Sequence, residues 1–222
     1  IGGAVIALTL TAAACGGGDD ESDSVATTVA SSDAAPGTTA AAAEGPDATV
    51  SPDLPPELAG EIGPVEVDGD ALPALGQVEV ADDPALGLTA PVLVGEDYEG
   101  NTVRVDAAAD GPTMVVFLAH WCPHCNAEVP RLNELRDAGS FPEGLNIVAV
   151  STATNPTRPN YPPSTWITDV DWTYPVIADG IDLAAEVQYI AAGAYGVDGF
   201  PFTTLLDGDG KVVARWSGER EP

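Results

Sequence analysis

The sequence predicts an α/β domain on a mixed central sheet, with helices on its faces and a long structureless tail in front. Three observations predict it. Apolar runs suited to buried strands, Thr113 to Ala119 and Asn146 to Ser151, alternate with a stretch of helical spacing. The last two apolar runs flank Asp207-Gly208-Asp209-Gly210, a strong hairpin turn, so an antiparallel pair closes the order. From Gly16 to about Pro64 the chain is Ala, Thr, Ser, Asp, Glu, Gly and Pro, with almost no aromatic or large apolar residue.

Residues 1–14 are small and apolar, and Cys15 follows, then Gly-Gly-Gly-Asp-Asp. This is the pattern of a secretory signal ending in a lipobox, with Cys15 as the lipidated residue. With neither Met nor a basic leading segment, residues 1–15 read as a partial signal peptide. The apolar stretch is too short for an ordinary membrane span. Residues 16–64 are expected to form a disordered acidic tether, because so little apolar surface cannot offset the entropy of ordering. Residues 65–89 carry short apolar pieces, such as Val65-Glu66-Val67, and read as an N-terminal extension packed on a domain placed at 90–222.

Within the domain, Val92-Leu93-Val94 and Thr102-Val103-Arg104-Val105 alternate around Glu99-Gly100-Asn101 and predict a β-hairpin. Thr113 to Ala119 is the first buried strand. Residues 125–138 place Val129, Leu132 and Leu135 at helical spacing, with Pro130 expected to kink the helix. Asn146 to Ser151 is the second buried strand. The Pro- and aromatic-rich stretch from Asn155 to Trp172 reads as an irregular insertion, with a short helix near Pro163 and Tyr161, Trp166 and Trp172 as packing residues. Pro175 to Ala178 is a short strand, Leu183 to Ala194 a helix stopped near Gly196, and Thr203 to Leu206 and Lys211 to Trp216 the closing hairpin. The chain ends soon after it.

Charge narrows the partners. The 222 residues hold 35 Asp and Glu against 7 Lys and Arg, a net charge of -28, and the first cation is Arg104. That balance argues against nucleic acid and against charge-driven binding to an anionic membrane. The cysteines narrow the chemistry. There are three, Cys15, Cys122 and Cys125. The last two stand in His120-Trp121-Cys122-Pro123-His124-Cys125, at the junction of a buried strand and a helix. There the helix N-terminus stabilises a thiolate on the first Cys, and Pro123 suits the first helical position. The pair could also be a structural disulfide or half of a metal site. A closed zinc site needs four ligands, however, and both His residues lie inside the same short run, which makes such a cage awkward.

This order of elements resembles the thioredoxin fold. More narrowly, it is similar to membrane-tethered extracytoplasmic thiol–disulfide oxidoreductases of the TlpA/redoxin type. The resemblance rests on Ala90-Pro91 and the hairpin, Phe117 to Cys125, Glu128-Val129-Pro130, Ala194 to Pro201 and Asp207 to Val213, and it covers about residues 88–220. It implies Cys122 as nucleophile, Cys125 as resolving thiol and a redox disulfide Cys122–Cys125. Pro201 would be a cis-proline facing it, with the Phe200 backbone pairing with substrate and Trp121 on the docking surface. Glu128 would assist proton transfer at Cys125, one helical turn away. His124 would raise the thiolate population of Cys122, and His120 either lines the groove or does not.

No cofactor is implied. The expected partners are extracytoplasmic protein thiols and disulfides, a membrane redox partner, and the membrane through a lipid anchor on its outer face. The protein is expected to be a monomer. Two departures stand out: Val116, where ordinary thioredoxins carry a buried Asp, and the end of the chain soon after the last strand, so that the fold's final helix is expected to be missing and one sheet face poorly covered. The direction of electron flow stays open: Pro123-His124 points to an oxidant, Glu128 to a reductant. Two alternative functions are weighed. A peroxide-reducing redoxin would place Thr or Ser a few residues before a lone Cys, where Leu118-Ala119-His120-Trp121 stands. A metal or haem-maturation chaperone would use the two cysteines with a His.

Overall fold

The computed structural model describes residues 54–78, 80–184 and 189–219. Cys15, the lipobox and most of the expected tether lie outside them. The described strands form two sheets. In the first, β1 (Val65–Asp68), β2 (Val92–Glu96) and β3 (Thr102–Val105) pair antiparallel, so the expected hairpin is joined by a third strand. A short helix α1 (Ala107–Asp110), capped by the Asp106 side chain, leads into the second sheet.

That sheet has five strands: β4 (Thr113–Leu118), β5 (Asn146–Ser151), β6 (Val176–Ala178), β7 (Phe202–Leu206) and β8 (Val212–Ser217). Their order is β6-β5-β4-β7-β8, with β4, β5 and β6 parallel and β7 and β8 antiparallel. With the helices on its faces, this is the mixed three-layer thioredoxin-like fold that the sequence predicts.

All six residues of β4 are buried. A strand covered on both faces sends alternate side chains into two cores. Val115 and Phe117 enter one, beside Leu93 and Val105 of the first sheet and Leu72, Leu75 and Ala85 of the extension. Met114, Val116 and Leu118 enter the other, beside Cys125, Val129 and Leu132 of helix α2 (Pro123–Asp137), Trp166 of helix α3 (Pro163–Asp169) and Trp172. Trp166 and Trp172 are therefore packing residues, as their setting in the insertion suggested. Val116 is fully buried and apolar on the Cys125 side of the sheet.

Four expectations need correction. Residues 54–64 were assigned to the tether, but they pack on the domain. Leu58 is buried, Gly63 donates to the Ala178 carbonyl at 3.2 Å, and Ser164 donates to the Glu61 carboxylate from its backbone N–H at 3.0 Å and its hydroxyl at 2.8 Å.

The extension is likewise part of the domain rather than an addition to it. Asp83 and Arg215 form an ion pair with both side chains fully buried, and Arg215 also donates to the carbonyls of Pro73 and Tyr195, each at 2.9 Å.

The helix expected over Leu183 to Ala194 is confined, among the described residues, to α4 (Ile190–Ala194). Tyr189 instead bridges to Ile181, and Leu183 sits in a turn. The start is fixed from outside the helix, because the Asp179 carboxylate accepts from the amides of Ala191 and Ala192 at 2.8 and 3.2 Å. Gly196 follows with φ +64, and a Cβ there would lie 2.4 Å from the Pro73 carbonyl, so only glycine fits.

In α2, Leu135 is exposed rather than facing the core, and Pro130 lies inside the helix. Among the described residues no helix follows β8, and an apolar groove lined by Met114, Leu145, Leu205 and Val213 lies beside it.

Candidate active site

Strand β4 aims its C-terminal end at the site, and the chain turns into α2 at Cys122. Cys122 has extended backbone angles and is the N-cap residue, with Pro123 at the first helical position. Its carbonyl accepts from the Asn126 N–H at 3.1 Å, which closes the first turn of the helix. The Cys122 thiol donates to the Phe200 carbonyl at 3.4 Å. The Phe200–Pro201 peptide is cis. The loop before β7 and the N-terminus of α2 are thus brought together around one sulfur.

Cys125 lies one turn deeper and is fully buried, whereas Cys122 is 6% exposed. The two sulfurs are not bonded to each other in the structure. Burial pushes the Cys125 thiol far above its ordinary range. The Ala119 N–H, 3.4 Å away, opposes this, while Cys122 and Glu128 reinforce it. Glu128 is buried on the same helix face, and its Oε2 lies 3.7 Å from Arg131 Nη1. A carboxylate therefore stands beside the thiol that is hardest to ionise.

The Trp121 ring packs edge-on to Phe200 at 6.1 Å, and its indole N–H donates to the Ala153 carbonyl at 2.8 Å. The Arg158 guanidinium lies over the same ring, 4.9 Å from its centre. His124 has a largely exposed side chain, and its Nδ1 contacts Glu219 Oε1 at 2.6 Å. The sequence pointed His124 at Cys122, but the contact seen here is to a carboxylate from the far end of the domain.

His120 is fully buried. Its Nδ1–H donates to the Pro159 carbonyl at 2.8 Å, and its Nε2 accepts from the Asn155 N–H at 3.2 Å. Both contacts require the neutral ring with the proton on Nδ1, and burial lowers the His120 pKa against the pull of the Pro159 and Asn160 backbone. His120 therefore fastens the 155–160 loop rather than lining a groove.

Two asparagines that sequence reading passed over complete this brace. Asn126 donates to the carbonyls of Cys122 and His120 and accepts from the Trp166 indole at 2.9 Å, while Asn160 donates to the His120 carbonyl at 2.9 Å. Asn126 directly follows Cys125, which was a usable signal; Asn160 and Glu219 had none. Among the described residues no cluster of three or more His, Cys, Asp or Glu side chains is arranged to hold a metal ion.

A family model described as AhpC/TSA matches residues 84–221, more than half of the chain and all of the site. The chain belongs to the AhpC/TSA family. Among the AhpC/TSA chain's relatives, the thiol–disulfide oxidoreductase ResA of Geobacillus thermodenitrificans is 31% identical over 128 residues, covering 58% of this chain and 67% of the relative. The soluble secreted antigen MPT53 of Mycobacterium bovis is 27% identical over 143 residues, covering 64% and 60%. A solved structure of a thiol:disulfide interchange protein of the thioredoxin family from Chlorobium tepidum superposes with a TM-score of 0.47 at 21% identity, covering 61% of this chain and 88% of that one.

Proposed function

We propose that this chain is a thiol–disulfide oxidoreductase that reduces protein disulfides outside the cytoplasm. The observation that carries it is the pair of unlike sulfurs: Cys122 at a helix N-terminus beside the Phe200 carbonyl, and Cys125 fully buried one turn below.

The Cys122 thiolate attacks one sulfur of a substrate disulfide. The substrate S–S bond breaks, an S–S bond to Cys122 forms, and the released thiolate takes up a proton. Cys125 then gives its proton to the Glu128 carboxylate and attacks the Cys122 sulfur. The mixed disulfide breaks, the second substrate thiol leaves, and the enzyme is left as the Cys122–Cys125 disulfide. Two electrons have passed to the substrate. No cofactor is needed, and a dithiol protein at the membrane would restore the reduced pair.

The edge-on rings of Trp121 and Phe200 form the docking surface, and an extended substrate segment pairs with the backbone next to Pro201. The site outside the cytoplasm is supported by the apolar residues 1–14 before Cys15, read as a lipid-anchoring signal, and by kinship with a protein named as secreted. A monomer that binds no nucleic acid fits the net charge of -28.

Replacing Cys125 with Ala should stop the sequence of steps halfway. Cys125→Ala is expected to accumulate mixed disulfides with extracytoplasmic proteins on non-reducing gels, and Cys122→Ala to show none. Absence of adducts in Cys125→Ala would overturn the proposal.

A further inference from the structure

Glu219 follows β8 and is far in sequence from the cysteines, yet its carboxylate holds two basic side chains of the active-site helix. Oε1 lies 2.6 Å from Nδ1 of His124, the residue between the cysteines. Oε2 accepts from Nη1 of Arg131 at 2.7 Å. The same Arg131 nitrogen lies 3.7 Å from Oε2 of Glu128, the buried carboxylate beside Cys125. The chain of contacts thus runs from the rim at His124, through Glu219 and Arg131, to the resolving thiol. Glu219 is itself held below the usual carboxylate range, mainly by the His124 hydrogen bond and further by the Arg131 charge.

We propose that Glu219 is a positioning residue that sets the redox poise of the Cys122–Cys125 pair by binding His124 and by sharing Arg131 with Glu128. The inference rests on the thiol–disulfide reading above and goes beyond it.

When protonated, His124 in the first turn of α2 is a cation that adds to the field of the helix N-terminus and favours a thiolate at Cys122. Stabilising the reduced form in this way makes a dithiol pair a stronger oxidant. A carboxylate bound to that cation cancels much of its field, so the pair becomes a better reductant. At the other end, the shorter contact to Glu219 limits how far Arg131 quenches the Glu128 carboxylate.

Glu219→Gln keeps the shape of the side chain and removes its charge. The readout is equilibration with glutathione, in which one enzyme disulfide and two glutathiones give one enzyme dithiol and one glutathione disulfide. The constant is expected to move toward the dithiol by about tenfold, equivalent to about 30 mV. Alkylation of Cys122 at pH 6 should become faster. Glu219→Asp, which keeps the charge, should stay near the wild type. In a His124→Ala background the Gln substitution should lose most of its effect.

An unchanged constant in Glu219→Gln overturns the inference, and so does an equal shift in the absence of His124. A wild-type chain with no measurable dithiol–disulfide equilibrium would instead fail the underlying functional reading.

Discussion

His120 shows how burial decides what an imidazole can do. The ring is sealed from water and spends both nitrogens on the 155–160 loop, one donating to Pro159 and one accepting from Asn155. Replacing it with Ala removes the hydrogen bonds to the exposed Pro159 and the half-buried Asn155, at about 0.5–1.5 kcal/mol each. His120→Ala is expected to lower the urea midpoint and to raise KM for a protein disulfide, because the loop carries Arg158 over Trp121 of the proposed docking surface. The glutathione equilibrium of the cysteines should barely change; a large shift would show that His120 acts on the sulfurs directly. Sequence reading marked His120 for its place beside the motif but could not choose its role, since the deciding partners lie 35 and 39 residues away. The cysteines were legible because strand, helix cap and thiol chemistry all meet within six residues.

Helix α4 makes the same point for an element. Apolar periodicity proposed a helix from Leu183, but periodicity carries no information about a cap supplied from another strand end. The Asp179 carboxylate, 1% exposed, accepts from Thr152 Oγ1 at 2.6 Å and from the first amides of α4. Burial pushes its carboxyl up to about 6, and the hydrogen bonds from Thr152, Ala191 and Ala192 hold it from rising further. A carboxyl raised from 3.8 in the unfolded chain to about 6 in the folded one binds its proton more tightly when folded. Its contribution therefore makes the domain more stable as pH falls from about 6 toward about 4, and it costs about 3 kcal/mol when ionised at pH 7. Urea midpoints across that window should rise on acidification in the wild type. The rise should be flattened in Asp179→Asn; the same slope in both would contradict the assignment. Strand β5 and helix α3, by contrast, were placed well by sequence because local signals fix them: an unbroken apolar run in one, and two prolines opening the other.

The molecule as a whole is larger than the sequence suggested, for a physical reason that spacing cannot reveal. The Asp83–Arg215 pair joins residues 132 apart, and with Leu72, Leu75 and Ala85 it ties the extension into the core under β4. Removing Arg215 strands a buried carboxylate, so Arg215→Ala is expected to cost about 3–5 kcal/mol in urea unfolding. A chain starting at Ala90, where sequence reading placed the domain, should fail to give a cooperative transition, while one starting at Leu54 should unfold cooperatively. The mixed sheet and the two-faced burial of β4 followed from alternating elements, a closing hairpin and a nearly all-apolar strand, and both were legible in the sequence; the strand order was not. Glu219 and the 54–64 segment were not, because their contacts depend on how distant surfaces meet. The most direct test of the functional reading is a redox titration of the wild-type chain in glutathione and dithiothreitol buffers, read by alkylation of the two thiols. Cys122 and Cys125 should convert together in one two-electron step near ~-270 mV, as for thioredoxin. Thiols that stay independently alkylatable across the whole range would contradict it.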